Sequence, residues 1–427
     1  MLHKGMGRAV LYLLGQDLSQ YREMILDCCV HDYDYGPADH AEYLYPLIKA
    51  SSEQDYYRDE MIRLLMTTQE DIDYGRLLDL AVLFARGGDD GAREAIYGKL
   101  KRSLSDDRLP GAREAIDLDG VDGLIRVLGI IGPAASDHRP TDIELLVERT
   151  AKVSSLEAVD AAVCDSSSTD ANVAATLAAV GLTSDSVVED AAARLKKWRS
   201  GIGAKVPKNL TWEELKERRG FVQLTMAWSR VATDTQFEEA ARDFYSGDDD
   251  KRLHAYLKLF WMRPFPLEPK PLISLVDHPN DRVALAALSA LENLSHPRVR
   301  EVFERLRDSD RWSNRAAGLL QHNYHAGDDQ IILGMLERET DPDKLHLLAM
   351  DTRQVYKENP LPEGIEPMLL AYEKTPCSMC RNGCVEGLET LRAVPDWMIE
   401  ECLYDADSST RELAARLKSA TCTEPPE

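Results

Sequence analysis

A short run of cysteines near the carboxyl-terminal end carries the residue types best suited to chemistry. Cys377 and Cys380 have the Cys-x2-Cys spacing, and Cys384 follows one helical turn later. Thiols at such spacings hold zinc or cycle between dithiol and disulfide. The second half of a usual zinc motif is missing from the sequence. Three interpretations therefore stay open: small apolar residues packed inside a helix, a weak zinc site, or a redox dithiol.

An acidic and aromatic loop near the amino-terminal end is the second candidate site. Residues 31–42 read HDYDYGPADHAE. Such a surface attracts cationic side chains through its charge and through the faces of its aromatic rings. A solvated loop between helices, a catalytic His/Asp pair and a metal site would use the same residue types, although no fixed metal motif is matched. The candidate binding residues at this loop are His31, Asp32, Tyr33, Asp34, Tyr35, His40, Glu42 and Tyr43.

A basic stretch interrupts the otherwise acidic chain. Residues 194–208 read RLKKWRSGIGAKVPK and contain no acid. Lys196, Lys197 and Arg199 are candidate anion contacts, with Trp198 available for stacking. The alternative is a basic helix end, where cations interact favourably with the helix dipole. Residues 201–205 are not a phosphate-binding loop, because they lack its glycine frame and the Ser or Thr after the lysine.

A repeated helical phrase predicts the elements that position these residues. Residues 277–291 read DHPNDRVALAALSAL, in which start signals precede apolar residues at 284, 287, 288 and 291. That i, i+3, i+4, i+7 spacing is typical of one buried helix face. A period of 20 to 50 residues indicates stacked repeats, here of helix pairs, so an all-α chain is expected. The basic residue of the phrase returns every 29 to 37 residues, at Arg252, Arg282, Arg315, Lys344, Arg381 and Arg411.

These phrases resemble HEAT-type repeats and their armadillo and phycobilin-lyase-like relatives. Residues 277–283 carry the resemblance, with weaker copies around Arg315 and Arg411. It covers roughly 250–418 and, less closely, 17–105. The resemblance implies an α-α superhelix, a solenoid of about a dozen antiparallel helix pairs at this chain length. It does not imply one activity, because such solenoids serve as scaffolds, as peptide or nucleic-acid binders and occasionally as enzymes.

Composition divides the chain and restricts its partners. An irregular Ala/Gly/Ser-rich helical segment at 106–215 separates repeats at 1–105, which hold the Tyr-rich loop, from repeats at 216–427. The net charge of −23 disfavours nucleic acid over most of the surface and favours a basic partner. The sequence has no apolar run long enough for a membrane span. Its eight cysteines do not resemble a secreted disulfide framework, so a cytoplasmic protein is expected.

The sequence therefore predicts a protein-interaction scaffold. We expect an α-solenoid whose acidic concave face binds a basic or extended peptide or a partner protein. The alternative is an enzyme with a site in the amino-terminal Tyr/His/Asp groove, or a metal or redox site at residues 377–384. The sequence shows no nucleophile–base pair and no complete metal set, which weighs against catalysis. Neither catalytic residues nor an oligomeric state is predicted.

Overall fold

The protein is built from helices. The computed structural model describes residues 1–31, 39–67, 72–105, 109–182, 186–201, 210–218, 221–244 and 249–421. These ranges contain 25 α-helices and six short 3-10 helices, and no strand. The prediction of an all-α chain is confirmed. Within the same ranges, no helix has both the length and the apolar character needed to cross a membrane.

The chain divides into two compact units. The first comprises Met1–Tyr33, Ala38–Ile202 and Tyr404–Ser408. The second comprises Asp34–Pro37, Gly203–Leu403 and Ser409–Glu427. The three segments predicted from composition, 1–105, 106–215 and 216–427, stay a prediction.

The first unit contains helices α1 to α11. Near neighbours in the chain pack together, as α5 does with α3, α4, α6 and α7. Short 3-10 helices lie at Leu2–Lys4, Leu18–Tyr21 and Gly132–Asp137. The α-helices are α1 Gly7–Leu14, α2 Arg22–Val30, α3 His40–Ala50, α4 Gln54–Leu65, α5 Tyr74–Arg86, α6 Asp90–Arg102, α7 Ala112–Ile131, α8 Pro140–Val153, α9 Leu156–Thr169, α10 Ala171–Val180 and α11 Val187–Gly201.

Helix α5 shows how the sequence builds this unit. The Asp73 side chain accepts the main-chain N–H of Gly75 at 3.0 Å and thereby caps the helix start. The helix ends at Arg86, before a Gly-Gly pair. Burying a Leu or Phe side chain stabilises the fold by about 1.5–3 kcal/mol, so this apolar helix forms a large part of the core. Its buried residues include Leu77, Leu78, Leu80, Ala81 and Phe84.

The second unit contains α12 to α24 and nearly all of α25. Alternate helices pack in series: α15 on α17, α19 on α21, and α21 on α23, while α20 packs on α22. Short 3-10 helices lie at Lys258–Trp261, Ala317–Leu320 and Pro362–Gly364. The α-helices are α12 Trp212–Glu217, α13 Phe221–Val231, α14 Asp234–Arg242, α15 Asp250–Leu257, α16 Lys270–Leu275, α17 Asp281–Glu292, α18 Pro297–Leu306, α19 Ser313–Ala316, α20 Asp328–Arg338, α21 Pro342–Glu358, α22 Ile365–Lys374, α23 Ser378–Thr390, α24 Asp396–Cys402 and α25 Ser408–Thr421.

Aromatic side chains fill the start of the second unit. The Trp212 ring lies 5.7 Å from both the Trp228 and the Tyr256 rings, centroid to centroid. Each polar tip has a partner, which removes the cost of burying it. Trp228 Nε1 donates to the Leu210 carbonyl at 2.8 Å, and the Tyr256 hydroxyl donates to the Ala240 carbonyl at 2.8 Å.

Asparagine side chains join consecutive helix ends in the second unit. Asn293 follows α17, and its Nδ2 donates to the Trp261 carbonyl, 32 residues earlier, at 3.0 Å. Asn323 donates to the Leu294 carbonyl, 29 residues earlier, at 2.7 Å. Its Oδ1 also accepts the main-chain N–H of His296 at 2.8 Å. Both side chains therefore serve main-chain groups that a helix end leaves without helical partners.

Two more side chains of the second unit donate hydrogen bonds to main-chain carbonyls more than 30 residues earlier. Asn359 follows α21, and its Nδ2 donates to the Gln321 carbonyl, 38 residues earlier, at 2.9 Å. Arg252 donates to the Lys216 carbonyl, 36 residues earlier, at 2.6 Å. We call these four hydrogen bonds, from a side chain to a main-chain carbonyl that lies 29 to 38 residues earlier, the inter-helix ties.

Arg315, at a predicted repeat start, lies buried among three helices. Its guanidinium donates to Asp351 Oδ1 of α21 at 2.6 Å and to Glu292 Oε1 of α17 at 2.7 Å. The side chains of Arg315 and Asp351 are only 8% and 5% exposed. One cation in α19 therefore holds carboxylates from α17, two α-helices earlier, and from α21, two α-helices later. Arg282, the corresponding residue of the clearest phrase, is exposed.

Removing one partner from this buried group should be costly. We expect Asp351→Ala to lower the free energy of unfolding of the second unit by about 3–5 kcal/mol, because Arg315 loses a buried partner. Urea denaturation followed by tryptophan fluorescence measures the change.

Asp277→Ala is the matched control for Asp351→Ala. Asp277 pairs with Arg305 at 2.8 Å, but both side chains are largely exposed. Its loss should therefore cost about 1 kcal/mol or less. Equal losses in the two variants would contradict the role assigned to burial.

Candidate metal centre

Helices α21 and α23 bring one histidine and two cysteines together. His346 lies in the second turn of α21, Cys377 caps the start of α23, and Cys380 lies in its first turn. One potential ligand atom from each lies within 4.8 Å of the other two. Cys380 Sγ is 3.7 Å from His346 Nδ1. Across the ranges that the structure describes, this is the only group of three such residues able to hold a metal ion.

The main chain around Cys377 fixes the position of its thiol. The Cys377 N–H donates to Thr375 Oγ1 at 3.2 Å. Its carbonyl accepts the Arg381 N–H at 3.1 Å, which is the first turn of α23. The partial positive charge of a helix start favours thiolates there over thiols.

Burial governs the chemistry of the thiols. Cys377 and Cys380 are buried, whereas His346 is half-buried. The hydrogen bond with Cys377, followed by burial, raises the pKa of Cys380. Burial also raises the pKa of Cys384 to about 12, although Arg353 and Arg381 oppose the shift. A raised pKa disfavours a reactive redox thiolate, whereas a metal ion can displace the protons of such thiols.

The structure groups the predicted ligands differently from the sequence. Cys377 and Cys380 belong to the candidate metal-binding group, and Cys384 does not, although it is buried one turn later on α23. His346, which lies 31 residues before Cys377, belongs to no local motif in the sequence and was not predicted as a ligand. That separation lies within the interval of 29 to 37 residues at which the helical phrase repeats. The repeat interval was therefore the signal in the sequence that could have placed His346 near the cysteines.

The predicted acidic loop is described only at its edges. Asp32, Tyr33, Asp34 and Tyr35 lie outside the described residues. His31 follows α2, and its Nδ1 lies 2.8 Å from Asp27 Oδ1.

Helix α3 holds the other edge of the loop. His40 and Tyr43 are buried at 4% and 3% exposure, and their rings meet edge to face at 6.0 Å. The Tyr43 hydroxyl donates to the Met6 carbonyl at 2.8 Å. Glu42 is exposed. Of the candidate binding residues that the structure describes, Glu42 is therefore exposed and His31 is half-buried, while His40 and Tyr43 belong to the core.

The predicted anion contacts lie on α11. Lys196 and Lys197 are exposed. Arg199 donates through both terminal nitrogens to the two oxygens of Glu148, each at 2.7 Å. Arg199 and Glu148 line a groove of about 1020 Å³ in the first unit. The hydrogen bonds from Arg199 are the main cause that lowers the pKa of Glu148 to about 2, so the Arg199 charge already has a partner.

The pKa of Glu148 tests this pairing. We expect Arg199→Gln to raise the Glu148 pKa from about 2 towards the ordinary glutamate value of about 4.3. Because the folded pKa is lowered, stabilisation by the pair is present above the ordinary value and is lost as pH falls towards 2. Carbon-13 NMR of labelled glutamate carboxyl groups measures the titration. Lys196→Gln, an exposed change on the same helix, should leave the Glu148 pKa at about 2, and an unshifted pKa in Arg199→Gln would contradict the pairing.

Comparison with known proteins gives no further guide to the site. Models of protein families, curated proteins and solved structures all yield no match for this chain. Membership of the HEAT-like family therefore stays a prediction.

Proposed function

We propose that this chain is a HEAT-like α-solenoid scaffold that binds a basic or extended peptide, or a partner protein, on an acidic concave face. The observation that carries the proposal is the series of inter-helix ties. Asn293, Asn323 and Asn359 each reach a carbonyl 29 to 38 residues earlier in the chain. Contacts at a nearly constant separation are what stacked repeats require, because each repeat contacts only its neighbours.

The packing of the helices supports the same proposal. In a stack of helix pairs, equivalent helices of successive repeats pack in a row. The pairs α15 with α17, α19 with α21, and α21 with α23 follow this rule, as does α20 with α22. The 25 α-helices among the described residues also match the number that about a dozen pairs would use.

Charge selects the kind of partner. The chain carries a net charge of −23, so it attracts basic partners and accelerates their encounter. The acidic loop at 31–42 is the proposed docking region, and its edges are anchored. The carbonyl of His31 accepts a hydrogen bond from Arg76, and Tyr43 is bonded to Met6. A zinc ion at the cysteines of α23 is a separate proposal and does not depend on this partner.

Charge removal in the loop tests the docking region. We expect Asp32→Asn/Asp34→Asn/Glu42→Gln to weaken binding of a fluorescein-labelled nona-lysine peptide by about tenfold, since three ion pairs of about 0.5 kcal/mol each would contribute about 1.4 kcal/mol. Fluorescence anisotropy at about 0.1 M salt, where the Debye length is about 10 Å, measures the affinity.

The matched control removes the same number of charges from helices of the first unit. Asp122 of α7 and both Glu157 and Asp165 of α9 are exposed. Asp122→Asn/Glu157→Gln/Asp165→Asn should leave the affinity within about twofold, because salt screens exposed charges outside the binding site. Equal weakening by both triple variants would contradict the assignment of residues 31–42 as the docking region, because the peptide would then be attracted only by the net charge of the protein.

A further inference from the structure

We propose that His346 Nδ1, Cys377 Sγ and Cys380 Sγ bind one zinc ion, whose fourth position is open to water. The site joins α21 to α23, two helices that already pack together. Among the residues whose placement is described, no fourth His, Cys, Asp or Glu belongs to the group. Three protein ligands and one open position form a known type of zinc site, distinct from closed four-ligand structural sites.

The distance between Cys380 and His346 is close to that expected at a tetrahedral zinc ion. With Zn–S bonds of about 2.3 Å and Zn–N bonds of about 2.0–2.1 Å, a tetrahedral ion holds nitrogen and sulfur about 3.5 Å apart and two sulfurs about 3.8 Å apart. The observed distance from Cys380 Sγ to His346 Nδ1 is 3.7 Å. All three ligand atoms lie within 4.8 Å of one another. Small side-chain rotations would therefore complete the coordination.

Neither a hydrogen bond nor apolar packing alone produces the full set of contacts. Hydrogen bonds of Cys380 with Cys377 and with His346 explain two pairwise contacts, but they do not require that Cys377 also lie within 4.8 Å of the imidazole nitrogen. Apolar packing explains two buried thiols, but not why they face an imidazole nitrogen. A metal ion accounts for all three contacts with one interaction.

The donor set selects the metal. Two thiolates and one imidazole suit zinc, whereas magnesium and calcium prefer oxygen ligands. The two thiolates also balance the charge of a divalent ion, which lowers the cost of burying it. His346 is half-buried, so the ion and a water ligand have a route from solvent on that side.

The site is built by two structured helices. Asp341 caps α21 by accepting the Lys344 N–H at 3.0 Å, and Thr375 holds the Cys377 N–H at 3.2 Å. The main chain that carries the ligands is therefore fixed by the two helix starts, so that only side-chain rotations are needed for the ion to bind. An ion that binds only the folded chain raises its stability by mass action.

Cobalt titration of the full-length chain tests the site. The protein is purified with a phosphine reductant, stripped with a chelator and titrated with Co²⁺, which reports tetrahedral geometry and thiolate ligation through its absorption bands. We expect one equivalent to bind, with a thiolate-to-cobalt band that Zn²⁺ abolishes on displacing the cobalt. His346→Gln and Cys380→Ser should each weaken binding by about 100-fold or more, because each removes one of the three protein ligands.

Two cysteine variants serve as matched controls. Cys384→Ser, on the same helix face, and Cys164→Ser, at an exposed cysteine of the first unit, should keep the stoichiometry and the affinity. Circular dichroism checks that each variant folds. If Cys380→Ser does not fold, His346→Gln still tests the site, because His346 is only half-buried. Absence of stoichiometric binding, or unchanged affinity in His346→Gln, would overturn the proposal. Loss of binding in a folded Cys384→Ser variant would overturn the three-ligand site.

Discussion

Hydrogen bonds from asparagine side chains to main-chain carbonyls set the arrangement of helices in the second unit. A helix end leaves carbonyl groups without partners in the helix. Asn293, Asn323 and Asn359 supply partners to the carbonyls of a helix end 29 to 38 residues earlier. A buried polar group without a partner costs about 1–3 kcal/mol, so sliding one helix along the next would be penalised at every such position. These ties fix the register in which successive helices pack.

That register also brings the candidate zinc ligands together. His346 precedes Cys377 by 31 residues and Cys380 by 34, which is the separation that the ties maintain. Arg315 uses the same order of helices to reach carboxylates on α17 and α21. The candidate zinc site and the buried group of Arg315, Glu292 and Asp351 therefore both follow from the alignment of nearby helices. Neither requires contacts between distant parts of the chain.

Much of the fold could be predicted from local spacing, whereas the site could not. The apolar residues at 284, 287, 288 and 291 predict a helix that the structure places at Asp281–Glu292. Residues 40, 43, 44 and 47 have the same spacing, and His40 and Tyr43 accordingly face the core although they border an acidic loop. His346 was missed because a local motif cannot identify a ligand on another helix. Only the repeat interval connects it to the cysteines.

Hydrogen exchange measured by mass spectrometry in Asn323→Ala examines the central claim most directly. If side-chain ties hold successive helices in register, peptides covering 294–298 and 319–326 should exchange faster than in the parent protein. Peptides of α23, further along the chain, should keep their protection, because the effect passes only to neighbours. Unchanged exchange at both flanking peptides, or a uniform increase throughout the second unit, would contradict the account.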